Sequence, residues 1–157
     1  MAYAIRPYRD GDAPALVELV RRSIADIGRE AYSAEQTQAW AARQPDEDDY
    51  RTKAALGSAI FIAEDADGDP AAYVLMERDG HVDRLYTHPD HRGEGLAAQL
   101  LAAVEHYARP HGIERLYTEA SDLARPAFEH AGYKMIARRN FEIDGVPIHN
   151  WAMEKRL

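Results

Sequence analysis

His81-Val82-Asp83-Arg84-Leu85-Tyr86-Thr87-His88-Pro89-Asp90-His91-Arg92-Gly93-Glu94-Gly95-Leu96-Ala97 is the stretch on which the reading of this chain turns. His81 to Thr87 has the composition of a β-strand, and Leu96 to Arg109 is strongly helical. Gly93 and Gly95 lie at the junction, where a backbone without side chains can curl tightly. The first N–H groups of a helix have no partner within it. They and the helix dipole attract anions, and Arg92 adds a fixed charge with a planar donor fork. The spacing predicts a pyrophosphate cradle made by Arg92 and the N–H groups of Gly93, Glu94, Gly95, Leu96 and Ala97. Its ligand is expected to be a nucleotide or a nucleotide-bearing cofactor such as coenzyme A.

A second pattern overlaps the first. Gly93, Gly95 and Ala98 also fit the dinucleotide fingerprint G-x-G-x-x-A, with Glu119 where a ribose-binding acid would stand. Two features count against it. Thr87 to Arg92 separates the strand from the first glycine, and too little sequence remains for two mononucleotide-binding halves.

The chain has 157 residues, enough for one domain spanning 1–157 with a real core. Its hydrophobic and charged fractions, 46% and 29%, are those of a globular protein. A net charge of −8 argues against non-specific nucleic-acid binding, which needs a basic face, and suits a cationic partner such as an amine. There is no cysteine, which excludes disulfides, thiolate zinc sites and cysteine nucleophiles. Neither a signal peptide nor an apolar run long enough for a membrane helix is visible, so a cytoplasmic protein is expected.

Around the cradle the periodicity predicts a full α/β order. Tyr3 to Tyr8 reads as a strand. A helix runs to about Ile27 and is stopped by Gly28, and the capping box Ser33-Ala34-Glu35-Gln36 opens a second helix through Ala42. Pro45 to Asp49 reads as an acidic loop or a new helix start. Strands Ala59–Glu64, Ala71–Arg78 and His81–Thr87 follow, with turns at Asp67 to Pro70 and at Asp79-Gly80. After the long helix come the strand Arg115–Glu119, a helix Leu123–Ala131 closed by Gly132, and a hairpin Tyr133–Ile143 and Val146–Lys155. This is a single mixed-sheet α/β domain with about four helices.

With both halves in view, the chain resembles the GNAT superfamily of N-acetyltransferases. Arg92, Gly95 and Ala97 fall on its acetyl-CoA signature Arg/Gln-x-x-Gly-x-Gly/Ala, and Ser121 through Tyr133 resembles its Asn-x-x-Ala…Tyr-x-x-x-Gly-Phe segment. The resemblance implies a mostly antiparallel sheet whose fourth and fifth strands splay into a wedge. It implies acetyl-CoA as cofactor, its pantetheine arm paired to Leu85, Tyr86 and Thr87 as an added strand, its pyrophosphate in the cradle, and Ser121 and Phe128 beside it. The implied reaction is direct acetyl transfer to a primary amine of a small molecule or a protein.

For the catalytic base the resemblance points to His81 or Asp83, which with Leu85 should share one face of the strand. The intrinsic pKa of His81 suits a base near neutrality. Many relatives have a tyrosine as thiolate acid where this chain has Phe128. Tyr86, Tyr117 or Tyr133 is then the substitute, or the thiolate leaves unassisted; the same Phe128 keeps open a non-catalytic acyl-CoA-binding module. Glu30, Tyr32 and Trp40, with Arg43, come from the loop expected over the amine, Trp40 being a platform or a core residue. The remaining histidines, His88, His91, His106, His111, His130 and His149, are expected at the surface without a metal constellation. The protein is expected to be a monomer or a homodimer.

Overall fold

The computed structural model describes residues 2–157, folded into seven strands and five α-helices. Strands β1 (Ala4–Pro7), β2 (Ala59–Glu64), β3 (Pro70–Met76) and β4 (Val82–Thr87) form one antiparallel sheet in that order. Strands β5 (Arg115–Ala120), β6 (Lys134–Ile143) and β7 (Val146–Arg156) form a second, ordered β5-β7-β6.

Alternation on β2 and β3 sends apolar side chains to both faces of the first sheet. Ala63, Ala72, Val74 and Met76 meet Leu96, Leu100, Leu101 and Val104 of α4 (Leu96–Ala108). On the other face Ile60, Ile62, Tyr73 and Leu75 meet Leu16, Leu19, Val20 and Ile24 from α1 (Ala13–Arg22) and the turn after it. This explains why AIFIAE and PAAYVLM are almost continuously apolar: both faces are covered.

Three details depart from the sequence expectation. After Arg22 the first helix widens into a π-turn over Ser23–Ile27 and a 3-10 turn over Gly28–Glu30. Gly28 keeps helical angles; a Cβ there would stand 3.3 Å from Thr37, so this glycine admits α2 (Ala34–Ala42) rather than stopping a helix. The acidic stretch resolves into α3 (Glu47–Ala55), capped by Asp46 Oδ1 accepting from Asp49 N at 3.1 Å, which makes five helices where about four are expected. The last helix, α5, is shorter than expected, Arg125–His130. No helix of the described residues is long and apolar enough to cross a membrane.

The two sheets meet at one seam. His81 pairs with Tyr117 as a single parallel bridge, and Tyr117 N donates to Gly80 O at 3.1 Å. Thr118 Oγ1 closes the seam by donating to Val82 O at 2.8 Å. Gly80 has φ +102, and a Cβ on it would fall 2.2 Å from Arg115 O. Both the backbone angle and the close approach require glycine. Gly80→Ala is therefore expected to destabilise the fold by about 3 kcal/mol or more, measured by urea denaturation; a change below about 1 kcal/mol would show that the seam relaxes freely.

Candidate functional site

Beyond the seam β4 and β5 part, and a cleft of about 390 Å³ opens between them. Val82 to Tyr86 form one wall, and Thr118 to Ser121 the other. Ala124 and Phe128 close the base, the β6–β7 hairpin contributes Arg139, Phe141, Ile148, His149 and Asn150, and Tyr32, Trp40 and Arg43 come from the α2 side.

The β4 wall is not a regular strand. Leu75 pairs with Arg84 and Met76 with Val82, so Asp83 is an extra, bulged residue. The bulge breaks the expected alternation of His81, Asp83 and Leu85. Val82 and Leu85 both pack toward α4, whereas Tyr86 packs toward α1. Arg84 turns inward under the Tyr50 ring, its Cζ 5.0 Å from the centroid, and binds Asp49 at 2.6 Å and Asp83 at 3.1 Å. Its Nη1 is buried without a partner.

At the seam His81 is clasped by carboxylates, with Nδ1 2.6 Å from Glu77 and Nε2 2.8 Å from Glu119. Its ring stacks on Tyr117, centroids 4.8 Å apart, and Asp83 lies 3.9 Å from Nδ1. The bond to Glu119 outweighs desolvation and, with Glu77, raises the imidazole to about 9. These surroundings favour the protonated imidazole and move His81 above the near-neutral intrinsic value on which the base assignment drew. Glu77, His81 and Asp83 also bring potential ligand atoms within 4.8 Å of one another, a grouping not apparent in the sequence.

The cradle lies past the end of β4. Gly95 is left-handed, φ 74, at the N-cap of α4, and no side chain caps that helix. Nothing lies within 4 Å of where a Cβ would stand on Gly93 or Gly95. Arg92 pairs through both terminal nitrogens with Glu30, one contact being 2.8 Å. Glu30 is thus on the cradle, outside the cleft where an amine was expected to meet it.

Tyr32 and Trp40 do line the cleft, ring edge to ring face at 5.6 Å, and Trp40 lies 6.3 Å from Tyr86. Tyr32 Oη accepts from Asp122 N and donates to His149 O. Asp122 accepts from His149 Nε2 at 2.8 Å and from Trp151 Nε1 at 2.6 Å. His149 is therefore a cleft residue, not the surface residue expected. Ser121 lines the wall while its Oγ accepts from Ala124 N at 3.1 Å. Arg43 is held at the rim by Asp144, 2.6 Å away. Of the three candidate acids, Tyr117 donates to Asp79, which raises it to about 12. Tyr133 is buried edge-on to Phe128 with an unpartnered hydroxyl, and burial raises it too. Only Tyr86 lines the cleft.

Sequence reading missed Arg139 and His149 as cleft residues and Asp122 as the carboxylate that holds His149, and it met Glu119 only as a ribose acid. Period-2 spacing places Arg139, Phe141 and Ile143 on one face of β6; the partner wall becomes visible only once the strand register is known. The His81 cluster has a pH signature. A raised imidazole stabilises the fold fully below its ordinary value near 6.5, and this contribution is lost as pH rises through about 9. After allowance for solvent screening, the loss is expected to be about 1–2 kcal/mol. Denaturation at pH 6 and pH 10 should show it in the parent and not in His81→Gln; equal losses in both would refute the assignment.

Residues 29–156 match the family model described as an acetyltransferase (GNAT) domain. A crystal structure of a GCN5-related N-acetyltransferase from Rhodopseudomonas palustris is 32% identical, with a TM-score of 0.89 over 100% of this chain and 97% of that one. An uncharacterized N-acetyltransferase of Escherichia coli, YafP, is 27% identical over 95% of this chain and 93% of its own length. The PaiA N-acetyltransferase of Thermoplasma acidophilum, solved with coenzyme A, shares the fold at a TM-score of 0.78 and 18% identity, with full coverage of both chains. With the splayed strands, the open glycine cradle and a family match over most of the sequence, this chain belongs to the GNAT family of acetyltransferases.

Proposed function

We propose that the protein transfers the acetyl group of acetyl-CoA directly to a primary amine of a small molecule or a protein. The observation that carries this is the unpaired outer edge of β4 leading straight into the open cradle at Gly93 and Gly95. A cradle with free space at both glycines and an uncapped 13-residue helix behind it fits a pyrophosphate. The coenzyme A held by the Thermoplasma protein of the same fold agrees with that fit.

Arg92 and the N–H groups of Gly93 through Ala97 would hold the pyrophosphate. Leu85, Tyr86 and Thr87 would pair the pantetheine arm, with Ser121 and Phe128 alongside. When bound, acetyl-CoA supplies a thioester carbonyl open to attack by the amine. Tyr32 and Trp40 shape the acceptor side, and Asp83 and Glu119 draw the ammonium inward. His81 lies behind Glu119 rather than in the cleft lining, so once it has lost its proton it would take one from the ammonium through the Glu119 carboxylate that holds its Nε2; a base near 9 is closely matched to an alkylammonium. The bulge at Asp83 supplies a backbone N–H for the developing oxyanion. A thiol pKa of ~8.5 lets thiolate leave without the acid that Phe128 lacks. With no cysteine in the chain, no acyl-cysteine intermediate is available, which supports direct transfer.

Calorimetric titration with acetyl-CoA, followed by thiol release against an amine panel, tests the reading. Absence of binding would remove it, and binding without turnover of any amine would favour a non-catalytic acyl-CoA-binding or sensing module. Arg92→Ala is expected to weaken acetyl-CoA about tenfold, and Glu30→Gln to tighten it, because the guanidinium no longer exchanges partners. His81→Ala and Asp83→Ala should lower kcat about 100-fold at unchanged acetyl-CoA affinity. In the parent kcat/KM should climb with pH to an inflection near 9. Unchanged rates in both variants would discard the β4 base.

A further inference from the structure

The structure assigns the acceptor, within the acetyl-transfer reading on which this inference rests, to the free α-amino acids with apolar or aromatic side chains. The argument starts from which cleft charges are already engaged. Arg43 is bound to Asp144 and Arg84 to Asp49 and Asp83. Arg139 makes no ion pair among the described residues; its side chain contacts Asn150 Oδ1 at 3.0 Å and the Phe141 ring at 5.4 Å.

That contact fixes the Asn150 amide. With its oxygen turned to Arg139, its nitrogen is left as a donor on the same wall. Arg139 and Asn150 stand opposite each other in the β6–β7 register, so their donors emerge side by side. A guanidinium fork beside an amide N–H is a two-donor clamp for a carboxylate. The facing walls carry the Asp83 and Glu119 carboxylates; each keeps acceptor capacity beyond its bond to Arg84 or His81 and suits an ammonium. An acceptor that satisfies both ends is a zwitterion. Between them Trp40, Phe141 and Ile148 offer apolar surface to a side chain. A polyamine or a lysine side chain within a protein would leave the Arg139–Asn150 clamp unused.

The test uses the full-length protein, acetyl-CoA and the proteinogenic L-amino acids, each compared with its C-terminal amide and its decarboxylated amine. The expected result is kcat/KM at least tenfold higher for the acids of phenylalanine, leucine or methionine than for their amides. Arg139→Gln should bring acid and amide together while acetyl-CoA affinity, read by calorimetry, stays the same. Equal turnover of acid and amide in the parent would overturn the inference and leave the acetyl-transfer reading standing. A preference that survives Arg139→Gln would overturn the clamp. Acetyl-CoA binding with no amine acetylated would overturn both readings together.

Discussion

The structure depends on two sheets that touch at one end and nowhere else along their facing strands. Gly80 allows the Arg115 carbonyl to approach where any side chain would collide, and the His81–Tyr117 bridge follows at once. Thr118 then takes up the Val82 carbonyl, and past that point β4 has no neighbour on its outer side. A backbone edge inside a protein needs partners. Leaving it open on one side, lined by polar and aromatic groups, creates a site that an extended ligand can complete. The cradle is placed by the same strand, since the chain that runs out of β4 reaches the N-terminus of α4 through one 3-10 turn, Pro89–His91, and the two glycines.

Charge organises what the seam opens. Glu77 and Glu119 come from opposite sides of the seam and share one imidazole, so the proton on His81 ties the β3–β4 turn to β5. Arg92 is held by Glu30, which belongs to the turn just before Tyr32, a residue that lines the cleft. The two halves of the site are linked through this exposed ion pair, which is weak enough to exchange.

Much of the fold was legible because its signals are local. The Ser33–Gln36 box is formed as its spacing implies, with both reciprocal bonds present, and β2 has the bounds its apolar run suggests. The Arg92–Ala97 junction is a strand-to-helix turn with both glycines left-handed. What escaped is non-local. The bulge at Asp83 exists only relative to the register of β3, and it overturns a face assignment made by counting residues. Asp122 meets His149 across 27 residues, and Arg92 meets Glu30 across 62; no period in the sequence encodes either. The displaced pKa of His81 has the same origin, since Glu119 reaches it from another sheet.

The chain has two tryptophans; Trp40 lines the cleft, and Trp151 is joined to its lining through Asp122 and His149. Trp40 forms part of its lining against Tyr32 and Tyr86, and Trp151 is bonded to the Asp122 carboxylate that also holds His149, with the Arg125 guanidinium 4.2 Å from its ring. Both are half-buried, Trp40 packing against the core on the α1 side and Trp151 against the core on the α4 side. The protein therefore carries its own optical probe. Its indole emission reports the cleft and the margins of both cores together, Trp40 from an aromatic wall of the cleft and Trp151 through the carboxylate that it shares with His149.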